Sequence, residues 1–184
     1  MLSAVTALSL MGSLAHAGDR PVSVGPYAEA GIGATSFLGE GADHAAIGPS
    51  FAIRVGFDVF SWISLGVRVD ASSHEATVPP PPEGEYFQLY SGAVEGRLSF
   101  SIGRVGVFAD GGIGAALIST NVLQKVAVLD PGEELTIIFN AGGGLEYQLQ
   151  NRHYAFGIAS HWTLLPAFDS LQSVTTRAYM RYTY

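Results

Sequence analysis

Positions 50–59 of the chain read Ser50-Phe51-Ala52-Ile53-Arg54-Val55-Gly56-Phe57-Asp58-Val59. Phe51, Ile53, Val55, Phe57 and Val59 take every second place, and Ser50, Ala52, Arg54, Gly56 and Asp58 the places between. A helix turns about 100° per residue and would scatter both sets around its circumference, whereas a strand sends them to opposite faces. The stretch is therefore an amphipathic strand with an arginine and an aspartate on its polar side.

The same alternation extends outward in both directions. Residues 63–72 set Ile63, Leu65, Val67, Val69 and Ala71 against Ser64, Gly66, Arg68, Asp70 and Ser72. Upstream, residues 27–37 carry Ala28, Ala30, Ile32 and Ala34 opposite Glu29, Gly31 and Gly33. Downstream, the pattern recurs over 89–100, with Glu95 and Arg97 on the polar face, and over 105–117, with Asp110 there. It recurs again over 135–149 with Glu146, over 154–164 with His161, and over 173–184 with Arg177 and Arg181. Counting residues 50–59, eight strands are expected. Short connections fall near 60–62, 101–104 and 150–153, and long ones near 38–49, 73–86, 118–134 and 165–172. Short and long alternate, so an up-and-down antiparallel meander gathers all long loops at one end and all tight turns at the other.

Composition narrows the setting. Of the 184 residues 48% are hydrophobic and only 14% charged, where soluble domains carry roughly 25% charged residues. The apolar residues are spread in alternation and give no continuous run of roughly 18 as a membrane helix needs. The formal net charge of −7 and the absence of a basic cluster argue against nucleic acid as a partner. Without cysteine there are no disulfides, thiol nucleophiles or thiolate metal sites. Residues 2–14 form a mostly apolar run ending in Ala15-His16-Ala17, a small-x-small cleavage pattern, so residues 1–17 are expected to be a signal peptide and 18–184 the barrel domain. The basic front region of such peptides is missing, since Arg20 is the first cationic residue; an apolar terminal strand or helix is the alternative.

Two closed barrels fit the alternation. One turns its apolar face inward around a ligand; the other turns it toward lipid around a polar lumen. Four features favour lipid outside. Glycines crowd the polar face (Gly31, Gly33, Gly56, Gly66, Gly112, Gly142, Gly157), as a narrow, side-chain-filled lumen requires. Carboxylates and guanidiniums on that face nearly match, which suits ion pairing in a buried interior. Phe57, Phe60, Trp62, Phe100, Tyr147, Tyr154, Tyr182 and Tyr184 gather at strand ends like an interfacial girdle. The strands also have the length of roughly 9–11 residues that a membrane crossing takes. The expected fold is all-β, an eight-stranded antiparallel up-and-down transmembrane β-barrel. Its polar lumen is expected to hold a network of Glu29, Arg54, Arg68, Asp70, Glu95, Arg97, Asp110, Glu146, Arg177 and Arg181.

The C-terminus, Ala178-x-Met180-x-Tyr182-x-Tyr184, resembles the terminal signature of Gram-negative outer-membrane proteins: an aromatic last residue preceded by apolar residues at every second place. The whole mature chain resembles the small eight-stranded barrels of the OmpA transmembrane-domain and OmpX type. That resemblance implies recognition of the last strand by the barrel-assembly machinery, contact with outer-membrane lipid and lipopolysaccharide, periplasmic termini and extracellular long loops. The last residue is Tyr where Phe is commoner.

Candidates for chemistry are few. His161-Trp162-Thr163 resembles the His-x-Ser of lipid A deacylase barrels, with Thr163 in the hydroxyl place and both polar residues on the lumenal face. Set against it is a lumenal histidine bonded to a carboxylate. His44, His74 and His153 are read as lying in loops or turns with no second ligand at metal spacing. Gly111-Gly112-x-Gly114 and Gly142-Gly143-Gly144 sit mid-strand with no following helix to present amides to phosphate. Pro79-Pro80-Pro81-Pro82 stiffens one long loop, and Asp43, Glu75, Glu83, Glu85, Asp130, Glu133, Glu134 and Asp169 make the loop end acidic. No catalytic residue, cofactor or metal is expected. The expected function is a non-enzymatic surface-recognition, adhesion or envelope-assembly barrel. Alternatives are an accessory subunit of a trans-envelope machine such as gliding motility or secretion, bound in an envelope protein complex, and a lipid A-modifying enzyme.

Overall fold

The computed structural model describes residues 24–77, 86–119, 135–150, 153–168 and 170–184. The expected signal segment at 1–17, the proline run at 79–82, and Glu83, Glu85, Asp130, Glu133, Glu134 and Asp169 lie outside the described residues. Eight strands follow in order: β1 (Gly25–Leu38), β2 (Gly48–Phe60), β3 (Ile63–Glu75), β4 (Tyr86–Ile102), β5 (Val105–Ser119), β6 (Leu135–Gln148), β7 (Tyr154–Leu165) and β8 (Leu171–Thr183). Between β1 and β2 lies one short helical turn, α1 (Gly41–His44).

Each strand pairs antiparallel with the next, and β8 returns to β1 through partners such as Glu29↔Arg181 and Thr35↔Thr175, closing the barrel. Closure leaves no unpaired edge, which is the condition for strands to lie in hydrocarbon. Tight hairpins join the strands at one end. Phe60↔Ile63 closes the β2–β3 turn after a bulge at Asp58/Phe60, and Ile102↔Val105 closes a two-residue turn between β4 and β5. Gly103 in that turn has φ +61°, the left-handed conformation that a two-residue hairpin asks of its first central residue.

The two faces of the strands separate sharply. Ile32 (69% exposed), Val69 (59%), Val94 (62%) and Ile158 (62%) point outward, while Arg54 (3%) and Glu95 (1%) are buried. An outer surface of aliphatic side chains around a charged interior is a barrel built for lipid. At the turn end this surface carries the expected girdle, with Phe60 stacked on Trp62 and Tyr182 between Tyr154 and Tyr184. Ala178, Met180 and Tyr184 lie exposed on the outer face of β8, and the Tyr184 N–H donates to the Pro26 carbonyl at the barrel seam.

Three findings correct the sequence reading. The lumen is not polar throughout: toward the loop end it is filled by Phe37, Phe87, Leu89, Ala93, Ala116, Ile118, Ile138, Leu165, Phe168 and Leu171. Because inward positions there are apolar too, the contrast between faces fades. For the same reason the alternation missed the first residues of β4, where Phe87 points inward and is fully buried. His74 is no loop residue. It lies on the inner face of β3, in phase with Asp70 and Ser72.

Val55 and Val67 are cross-strand partners on the lipid face. Arginine at either place is expected to destabilise the barrel by about 2–4 kcal/mol, as for a cation at the bilayer midplane; urea unfolding in lipid vesicles measures it.

Candidate functional site: the ionic lumen and its apolar cap

The charged residues of the inner face come from every strand but β7, which adds His161, and closure brings them into one network. Arg97 of β4 reaches across the lumen to Glu29 of β1 as a two-pronged pair, Nη1 to Oε1 at 2.6 Å and Nη2 to Oε2 at 3.1 Å. Its Nε and Nη2 also donate to Asp110 Oδ2 at 3.3 Å, and Nη1 stands 4.0 Å from Glu146 Oε2. The planar fork of arginine suits this sharing of several carboxylates. The guanidinium carbon lies 4.0 Å from the Phe108 ring centroid, a cation–π contact that covers its face. Tyr179 stands beside it and donates its hydroxyl to Glu146 Oε2 at 3.2 Å.

Nearer the turns, Arg181 donates to Glu29 Oε1 at 3.1 Å and to Asp58 Oδ2 at 2.6 Å, and it covers the Tyr27 ring at 3.9 Å. Ser64 adds a hydrogen bond to Asp58 at 2.6 Å. Nearer the loops, Arg54 and Arg68 are direct cross-strand neighbours, an arrangement that costs stability for like charges. Glu95 of β4 offsets it by standing 3.6 Å from Arg54 Nε and 3.0 Å from Arg68 Nη1. Arg54 also donates to Asp110 at 3.1 Å, while Arg68 and Arg177 share Asp70. All ten residues of the expected network thus line one interior. Sequence reasoning put Asp58 and His161 on this inner face too, the histidine against a carboxylate as it stands against Asp110, but left out Tyr27 and Tyr179, which were open to the same phase argument. It had no access to pairing, because alternation fixes a face and not a register.

Small inner-face residues make room for these side chains. A Cβ at Gly157 would collide with the Tyr179 ring, and one at Gly56 or Gly66 with the Tyr27 hydroxyl.

His161 is buried in this network, with Nε2 2.9 Å from Asp110 Oδ1. Thr163 lines a small cavity above it, and only Trp162 between them faces outward, donating to Gln172 on the outer surface at 3.1 Å. A lipid in the surrounding bilayer has no access to His161 in this arrangement. Among the described residues, no cluster of three or more His, Asp or Glu is placed to hold a metal ion.

Above the ions lies a layer of hydroxyls, including Thr35 bonded to Thr175 at 2.8 Å, around a cavity of about 30 Å³. A second cavity of about 20 Å³ lies among Arg54, Arg97, His161 and Arg177. One water takes roughly 10–15 Å³ on this measure, so each has room for a water or two and neither is wide enough to be a passage. Then comes the apolar cap. Its roof is tied by contacts between the first two long connections: Ala46 N–H to Glu75 O and Thr77 N–H to His44 O, each 2.9 Å.

These features define a lipid-embedded barrel with a filled interior, and the comparisons give it a family. Residues 3–166 match the family described as outer membrane protein beta-barrel domain, and the chain belongs to that family. The match ends before β8, so the C-terminal signature lies beyond it. In fold the chain is similar to the crystal structure of Neisserial surface protein A, with a TM-score of 0.64 and 15% identity over 86% of this chain and 97% of that one. The outer membrane protein OprG from Pseudomonas aeruginosa gives a TM-score of 0.61 and 9% identity, over 91% and 99% of the two chains. Ail, the attachment invasion locus protein of Yersinia pestis, crystallised with the heparin analogue sucrose octasulfate, gives 0.57 and 11% identity over 88% and 99%. No curated protein matches the chain in sequence. Family and fold together indicate the outer membrane.

Truncating Arg97 to alanine leaves Glu29 without its two-pronged partner and Asp110 with fewer donors. Stranding buried carboxylates in this way is expected to cost about 3–5 kcal/mol, read as loss of the heat-modifiable folded band on unboiled gels at a lower temperature than wild type.

Proposed function

We propose that this protein is a non-enzymatic, non-conducting barrel that serves surface recognition through its long loops, with its termini and tight turns in the periplasm and the loops outside the cell. The observation that carries the reading is the double seal of the lumen, ions below and aromatic side chains above. A barrel sealed in this way passes no solute, and its outer wall offers lipid only an apolar surface; the loop rim is what remains for contact. The fold likeness to Ail and to Neisserial surface protein A, named as attachment and surface proteins, supports the same reading. So does the outward aromatic pattern on β8, which suits insertion by the barrel-assembly machinery.

Charge selects among partners. The long connections carry Glu40, Asp43, Glu83, Glu85, Asp130, Glu133, Glu134 and Asp169 against Lys125. A polysulfated ligand such as the one bound to Ail would meet repulsion here, so the favoured partner is a basic or neutral surface, or lipopolysaccharide bridged by divalent cations.

The test expresses the chain in a non-adherent host and counts attachment to epithelial monolayers, alongside a variant in which residues 120–134 are replaced by an Asn-Gly turn. Wild type should attach and the shortened barrel should not. Equal attachment by both, or cross-linking of the chain to an envelope complex without any attachment, overturns surface recognition in favour of an assembly role. In planar bilayers the purified barrel should show no stable open state, whereas porin-sized steps would contradict the sealed lumen. The lipid A mass spectrum of expressing cells should not change between wild type and His161→Ala.

A further inference from the structure

His74 is placed where an ordinary apolar residue would serve. Its ring is fully buried between Phe37, 4.7 Å away between centroids, and Phe87, 5.3 Å away and nearly parallel. Both ring nitrogens are engaged. Nδ1 lies 3.0 Å from the carbonyl of Ala46 in the first long connection, and Nε2 2.9 Å from Ser72 Oγ. A carbonyl only accepts, so Nδ1 carries the hydrogen and Nε2 accepts from the serine; both bonds are satisfied by the neutral ring. The imidazole thereby holds the first connection down on the barrel, at the point where Ala45 bridges Ala76 and the two loops are tied.

Among the described residues, no countercharge faces a protonated ring. From β1 it meets Phe37, from β4 Phe87, from the start of β2 Gly48, from the connection Ala46, and from β3 itself Ser72. The next charged residue along the inner face of β3 is Asp70, two inward positions away, and the Glu75 side chain is exposed on the outer face. Of the titratable groups on α1, Asp43 is exposed and His44 half-buried. Charging a ring in such surroundings costs far more than charging it in water.

We propose that His74 is a pH-sensitive latch: neutral, it fastens the first connection to Ala76 and Thr77 at the end of β3 above the apolar cap, and protonation releases them. This deepens the reading of the loop rim as a recognition surface by giving that rim two states, and its test is independent of any ligand. In the open state the ring is in water and takes up a proton in the ordinary histidine range near 6.5. The closed state binds fewer protons, so the latch holds above that range and weakens as pH falls through it.

The experiment is amide hydrogen exchange of the full chain in lipid nanodiscs at pH 7.5 and 5.5, corrected for intrinsic exchange. Taking up one proton on opening, the Ala46 and Thr77 amides should exchange about tenfold faster at the lower pH relative to the corrected rate. Barrel amides such as Val55 should not change. His74→Gln should abolish the pH dependence, whether it leaves the loops closed or open at both pH values, while His44→Gln and His161→Gln should keep it. Unchanged loop exchange in wild type overturns the latch, as does a response that survives His74→Gln or vanishes with His44→Gln or His161→Gln. Failure of the attachment assay would leave this result untouched, so the two readings fail separately.

Discussion

Hydrocarbon offers no hydrogen bonds, and that constraint governs this molecule. Each backbone N–H and C=O inside the bilayer must be paired within the protein, which a closed ring of strands achieves and an open sheet does not. Once the ring is closed, one face of each strand looks at lipid and the other at a narrow interior. Eight strands leave an interior just wide enough to be filled by side chains. The arginines and carboxylates of the inner face then have no water to retreat to. Their only economical state is mutual pairing, and the Arg97 fork on Glu29 and Asp110 is the centre of that solution.

The chain was most legible where the two faces differ most. Arg54 between Ile53 and Val55, or Arg97 between Gly96 and Leu98, marks inside and outside, and the residues around them take the faces read. Legibility failed where the inner face is also apolar. Phe87 and Leu89 are indistinguishable in type from outward residues, so β4 begins earlier than its alternation suggests and the cap was invisible. His74 shares its phase with Asp70 and Ser72, yet its place near a long loop made it read as a loop residue. Pairing partners could not be derived at all. Glu29 meets Arg97 because of strand stagger and closure, both properties of the ring and not of any local segment.

The interior is graded along its axis. Ions and aromatic rings fill the turn end and middle, a hydroxyl layer with room for a few waters follows, and an apolar plug closes the loop end. This order places the polar groups that need each other where the wall is most regular. It places the apolar side chains beneath the loops, where they anchor segments that have few partners of their own. Loop contacts such as Thr77 to His44 thus rest on a packed floor, and a surface presented to other molecules is held by the same core that seals the pore.

The distribution of charge along the chain has an effect on how the barrel is made. The first strands lay down Glu29, Asp58 and Asp70, and the guanidiniums Arg177 and Arg181 that answer them sit on β8, the last strand to leave the ribosome. A ring lacking that strand would hold six inner-face carboxylates against three guanidiniums, with Asp58 deprived of its arginine, in a medium poorly able to screen the excess. Partial insertion is thereby penalised electrically as well as by unpaired backbone, and the final strand brings the two cations that take the cylinder close to balance.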